Sequence, residues 1–192
     1  MAVSEARAIP GARGGRRRPS LVLGIDPGWA HVGFALVERG ERCFFVRRAR
    51  TLNLGGMAPQ ERSRLIVETL TDLLTDVFGT AEAVDLIAIE DQRQSQIGQA
   101  KAGRFTAANS RVNEVVGMVT AVAQIRNVPV LELGPATWKK QIGAGGRADK
   151  AAVSRAVTAL AGDLGKTSQH ARDAAGVALA GMMRGAEMGV GA

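Results

Sequence analysis

The apolar run Leu21-Val22-Leu23-Gly24-Ile25 and the three residues after it constrain this chain more than any other stretch. The run reads as a buried strand that ends on a carboxylate, Asp26. Pro27 and Gly28 are expected to stop the ladder there, because proline has no N–H to donate and glycine permits a tight turn. A carboxylate just off the end of a buried strand is held rigidly and faces outward, the placement that metal and phosphate chemistry needs. What the chain does then depends on which other acids reach the same point.

Composition narrows the setting. At 192 residues and 46% hydrophobic, the chain suits one domain with a sizeable core. No apolar run approaches the roughly 18 residues needed to cross a membrane, and residues 1–20 lack the apolar region of a secretory signal. The single cysteine, Cys43, excludes an internal disulfide and a CxxC zinc site. Its apolar neighbours Phe44, Phe45 and Val46 predict a small core residue in a reducing, cytoplasmic compartment. The net charge of +7 is uneven: residues 1–20 carry five arginines against Glu5. A mobile basic arm ahead of a mildly basic body fits a polyanionic partner; a solvated, disordered tail that aids solubility is the plainer reading of the arm, and an organelle-targeting role is a lesser alternative.

The pattern turns regular from Leu21. Leu21–Ile25, Val32–Val37 and Cys43–Arg48 read as strands, with Gly40 between the last two as in a hairpin. Pro59 opens a helix that carries Ile66, Leu70, Leu73, Leu74 and Val77 at helical spacing until Gly79. Val84–Ile89 is a strand ending at Glu90, Phe105–Ile125 an amphipathic helix and Val128–Leu133 a fifth strand. Asp149 caps a further helix, and Ser168 or Thr167 a last one from Gln169 to about Met183. Three antiparallel strands followed by alternating helices and strands predict an α/β fold: a mixed five-stranded sheet with helices packed on it. The predicted domain spans residues 21–185, followed by a frayed tail over 186–192.

The acids fall at telling places. If the first and fourth strands are parallel neighbours, Asp26 and Glu90 end side by side, where open sheets place their ligands. Like charges that close require a cation or a shared proton. His170 and Asp173, three apart, lie on one face of the last helix in its first turn. Together the four would form a mixed carboxylate–imidazole site suited to Mg²⁺, with the imidazole shifting preference towards Mn²⁺.

In this order the motifs resemble a known family. Leu23-Gly24-Ile25-Asp26-Pro27-Gly28 with Gly33-Phe34-Ala35, then Ile87-Ala88-Ile89-Glu90, then Trp138-Lys139-Lys140 through Ala148-Asp149-Lys150, and finally His170-Ala171-Arg172-Asp173-Ala174-Ala175 are similar to the motifs of RuvC-type Holliday junction resolvases. Those proteins belong to the ribonuclease H-like superfamily. The resemblance spans about residues 21–183. It implies a ribonuclease H-like fold with helices on both faces of the sheet. It also implies a homodimeric, metal-dependent endodeoxyribonuclease of recombination and repair that nicks a four-way DNA junction symmetrically. Asp26, Glu90, His170 and Asp173 would hold two Mg²⁺ or Mn²⁺ ions per site, which clamp the attacking and leaving oxygens in phosphodiester hydrolysis. Lys150 would stabilise developing negative charge. Two features depart from the commonest family pattern. His170 stands where many members have Asp, and Asp91–Gln96 lacks the aromatic residue that wedges into the junction.

Lys139, Lys140 and Arg147 flank glycines whose backbone can approach phosphates, and Arg93 and Arg104, with Lys101 and Arg111, form a second basic edge near Glu90. Trp29 and Trp138 are candidates for stacking on bases. The expected partner is four-way junction DNA, in a bacterial nucleoid or a phage-infected host. A ribonuclease H-like nuclease acting on flaps or RNA, and a protein that binds junctions without cutting, are the competing readings. An actin-like ATPase or sugar kinase is disfavoured by length, because such proteins need a second glycine-rich phosphate loop and usually about twice as many residues.

Overall fold

The computed structural model describes residues 19–75, 84–91 and 107–188. Five strands form one sheet: β1 (Leu21–Pro27), β2 (His31–Arg39), β3 (Phe44–Asn53), β4 (Leu86–Glu90) and β5 (Val130–Leu133), in the order β3-β2-β1-β4-β5. β1 pairs antiparallel with β2 and parallel with β4; β2 and β3 are antiparallel, and β4 and β5 parallel. The helices are α1 (Pro59–Leu74), α2 (Ala107–Ile125), α3 (Pro135–Gln141), α4 (Lys150–Ala161) and α5 (Gln169–Met188).

β1 is buried along its whole length because it lies between β2 and β4 with helices on both faces. Such a strand needs apolar side chains on both faces, hence an unbroken run rather than an alternating one. Alternation still sorts them. Leu21, Leu23 and Ile25 join a core with Ile66, Leu70 and Leu73 of α1 and Val115, Val119 and Val122 of α2. Val22 faces the opposite core, with Val153 and Val157 of α4 and Ala174, Val177 and Ala178 of α5.

α5 rests almost backbone to backbone on the sheet. A Cβ on Gly24 would stand 2.1 Å from the Ala174 carbonyl oxygen, and one on Gly33 would stand 2.0 Å from that of His170. Neither strand position tolerates a side chain while the helix stays there. Ser168 caps α5 through its Oγ, which accepts from the Ala171 N–H at 3.2 Å. Asp149 caps α4 by accepting from Ala152 N–H at 2.8 Å, and Pro59 occupies the first turn of α1, both as the sequence predicts.

Several expectations need correction. β1 does not stop at Ile25: Asp26 and Pro27 stay in the ladder opposite Gly33 and Val32. Pairing with β4 ends at Ile25↔Ile89, so the missing proline N–H costs no bond on that side. β3 starts after Cys43 and runs to Asn53, and Cys43 lies exposed in the preceding bend rather than in the core. The short helix α3 was not expected between β5 and α4. Pro135 stands at its first turn after Gly134, and its buried Trp138 anchors it. α5 runs on to Met188, past the expected ends at Met183 and residue 185. At the other end, Ser20 already belongs to the fold. Its N–H and hydroxyl donate to Asp85 Oδ2 at 2.7 and 2.8 Å, and Leu21 N–H joins them at 2.9 Å. The arm over residues 1–18 lies outside the described residues, as do Gly79 and Phe105.

Candidate active site

The register of the two central strands brings the first pair of acids together. Ile25 of β1 is the partner of Ile89 of β4, and both strands run the same way. The next residue on each is Asp26 and Glu90, so the carboxylates occupy adjacent strand ends. Because Ile25 and Ile89 face the α1–α2 core, Asp26 and Glu90 face the other side, where α5 lies.

α5 supplies the second pair. His170 Nδ1 is 2.8 Å from Asp26 Oδ2, across 144 residues of chain. The contact at Gly33 sets this spacing, since the backbone of His170 itself rests against that glycine. Asp173, one turn further on, is held by Gln169, whose Nε2 donates to Asp173 Oδ1 at 2.8 Å. Asp26 is only 6% exposed and is therefore not outward-facing as expected, whereas Glu90, His170 and Asp173 are half-buried.

The electrostatics report crowding of negative charge. Burial pushes the Glu90 carboxyl up from its ordinary 4.5 to about 7, with Asp26 and then Asp173 adding to the rise. Lys139 and the Trp138 indole pull it back down. That indole N–H lies near enough to act on Glu90 without closing a hydrogen bond, and it has no other partner among the described residues. Asp173 is raised too, by burial first and by Asp26 second, against the donor from Gln169 and the charges of Lys139 and His170. His170 is raised chiefly by its hydrogen bond to Asp26, with burial opposing.

Two predicted cations are thus close to the acids. Lys139, expected on DNA, lowers both Glu90 and Asp173, and its Nζ is fixed by a 3.3 Å bond to the Ala148 carbonyl. Lys150 is felt by His170. Lys140 instead lines a separate surface cavity with Ala136, Thr137 and Gln141, and Arg147 is exposed. Arg93, Lys101 and Arg104 lie outside the described residues. Neither tryptophan is free for bases. Trp138 is 1% exposed, and the Trp29 ring has the guanidinium carbons of Arg62 and Arg111 at 3.6 and 4.3 Å from its centroid.

One side chain at the site was not foreseen. His31, at the start of β2, stacks on His170 with ring centroids 5.2 Å apart and planes at 28°, and its Nδ1 is 3.0 Å from Asn53 Oδ1. The clue was the hairpin register: once Asp26 faces Gly33, the residue two before that glycine lies beside the strand end.

Three carboxylates and one imidazole form a donor set that fits a hard divalent cation, and the raised pKa values of Glu90 and Asp173 are the strain that such a cation would relieve. The fit is one of chemistry rather than preset geometry. Among the described residues, no three His, Cys, Asp or Glu side chains are drawn into a ready coordination cluster.

A mixed five-stranded sheet in this order, with helices on both faces and carboxylates ending its two central parallel strands, defines the ribonuclease H-like class of folds. Comparison with known proteins narrows the class. Residues 22–181 match the model of the crossover junction endodeoxyribonuclease RuvC family, and the chain belongs to that family. It is 34% identical over 140 residues to the crossover junction endodeoxyribonuclease RuvC of Myxococcus xanthus, a match covering 71% of this chain and 65% of the relative. It is 26% identical over 164 residues to that of Carboxydothermus hydrogenoformans, covering 85% and 96%. The Thermus thermophilus RuvC structure superposes with a TM-score of 0.67 at 22% identity, covering 87% of this chain and 96% of that one. The same protein in complex with a Holliday junction substrate gives 0.66 at 23%, covering 83% and 91%.

Proposed function

We propose that this protein resolves four-way DNA junctions by paired nicks, as a metal-dependent endonuclease acting through Asp26, Glu90, His170 and Asp173. One observation carries the reading. Two strands and one helix, far apart in sequence, deliver three carboxylates and an imidazole to one end of the sheet, where burial and then neighbouring carboxylates raise the pKa of Glu90 and Asp173.

Asp26, the most buried of the four, is the fixed centre, with Glu90 on one side and the α5 pair on the other. A divalent cation held by these side chains would polarise the phosphodiester and neutralise the charge that builds on it. His170 binds Asp26 through Nδ1, and its Nε2, without a hydrogen bond among the described residues, is the atom left to hold a proton or a cation. Gln169 fixes the orientation of Asp173. Lys139 and Lys150 bring positive charge to the same end, suited to the non-bridging oxygens of a phosphate under attack. Lys140, Arg147, Arg93 and Arg104 would serve the DNA more remotely. Mg²⁺ is the expected ion, two per site, with Mn²⁺ favoured by the imidazole. A two-fold junction cut at two equivalent points suits a homodimer. The relatives compared are bacterial, which supports action at the nucleoid.

The test is nicking of a synthetic four-way junction with and without Mg²⁺ or Mn²⁺. The wild-type protein should nick only with metal. Asp26→Asn should slow nicking by more than about a hundredfold while retaining junction binding. Metal-independent nicking, or equal loss of binding and cutting in Asp26→Asn, would count against the reading.

A further inference from the structure

Beside the four side chains lies a second feature that the motifs do not include. A cavity of about 520 Å³ opens between the outer end of β3 and the loop that leads into α5. His170 lines it, so it begins where the candidate site ends. Arg50 stands on its β3 wall and Lys166 on its loop wall, and no carboxylate among the described residues lines it. Both cations are exposed, and neither has an ion-pair or hydrogen-bond partner among the described residues. Arg50 leaves the strand on the face opposite Thr51, and β3 is the edge strand of the sheet.

The walls are built rather than loose. Thr51 Oγ1 and Ser168 Oγ are hydrogen-bonded, tying β3 to the start of α5. Arg172 Nη2 donates to the Gly165 carbonyl at 2.6 Å, Gly165 N–H donates to Asp163 Oδ1 at 3.0 Å, and the Thr167 hydroxyl donates to the Leu164 carbonyl. His31 closes the side nearest the acids, held by Asn53 and stacked on His170. A concave, carboxylate-free groove with two unpaired cations and several hydroxyls matches a phosphodiester backbone, whose contacts come from lysine, arginine and hydroxyl side chains.

We infer that this groove, through Lys166 and Arg50, binds a backbone phosphate of the cleaved DNA strand next to the one positioned at Asp26. The inference rests on the nuclease reading above and names where that strand continues. It sets the direction in which the strand leaves the acids: over His170 and His31, towards β3. Lys139 and Lys140 lie on α3, so the groove adds a separate support for the DNA.

The test pairs protein and DNA changes on an Asp26→Asn background, which leaves the DNA uncut. A synthetic four-way junction carries an uncharged methylphosphonate in place of one phosphate at successive positions on either side of the nick. At one flanking position the modification should weaken binding about three- to tenfold, and Lys166→Ala with Arg50→Ala should weaken binding to unmodified junction by a similar factor. The two losses should not multiply, because each removes the same contact. The double variant should also lower the slope of log affinity against log salt by about one. Factors that multiply at every position, or a variant that binds like its parent with an unchanged slope, would overturn the groove. Metal-dependent nicking of unmodified junction by the wild-type protein reports on the nuclease reading separately.

Discussion

At the scale of single residues, the site is a set of groups that hold their protons more tightly than usual, against ionisation in the two acids and in favour of the charged imidazolium in His170. Glu90, Asp173 and His170 all have pKa values above their ordinary ones. A group whose pKa is raised on folding binds its proton more tightly in the native state, so stability is lost as pH rises through that range. All three therefore act in one direction. In EDTA, the melting temperature should fall as pH rises from about 4.5 to 8, and Glu90 alone contributes on the order of 3 kcal/mol to that loss. Glu90→Gln should melt like wild type at pH 4.5, where Glu90 is protonated, and well above it at pH 8, while losing cleavage. Thermal melts across pH check this, and a metal-free protein whose stability rises with pH would contradict it. Added Mg²⁺ should recover stability at pH 8 in wild type and less in Glu90→Gln. The identities of the four side chains were legible from strand ends and helix starts. Their partners were not. His31 and Gln169 carry no signal of their own, because their roles arise from where β2 and α5 happen to meet.

At the scale of elements, α5 matters most. It brings His170 and Asp173 to Asp26 because Gly24 and Gly33 let its backbone lie against β1 and β2. Gly24→Ala should destabilise the protein by about 3 kcal/mol or more, since the nearest obstacle is a backbone carbonyl that cannot rotate aside. Chemical denaturation measures the loss, and a cost under 0.5 kcal/mol would mean that the helix is not seated as described. Strand and helix existence could be read from periodicity, but ends could not. β1 and β3 run further than their apolar runs because pairing partners, not side-chain pattern, decide where a ladder stops. The missed α3 shows the same limit. Seven residues offer too few turns for a periodic signal, and its anchor, Trp138, acquires its meaning only from the buried site it fills.

At the scale of the whole molecule, charge is the remaining variable. The fold takes hold at Pro19 and Ser20, where Asp85 accepts three hydrogen bonds. The five arginines of residues 1–18 can therefore be removed without touching that attachment. Deleting residues 1–18 should leave the melting temperature within a degree or two, weaken junction binding and flatten its salt dependence. Binding titrations over a range of salt decide it, and an unaltered slope would remove the arm from the DNA contacts. Among the described residues no helix is long and apolar enough to cross a membrane.

The contact of α5 with Gly24 and Gly33 has a last implication. The strand that fixes the first acid and the helix that delivers its partners share one unbroken interior, so the candidate site has no hinge of its own. Warming the protein should then extinguish cutting only at the temperature where the whole domain comes apart. Any motion needed to admit a branched substrate must be found elsewhere, in the DNA or in the segments bordering the sheet.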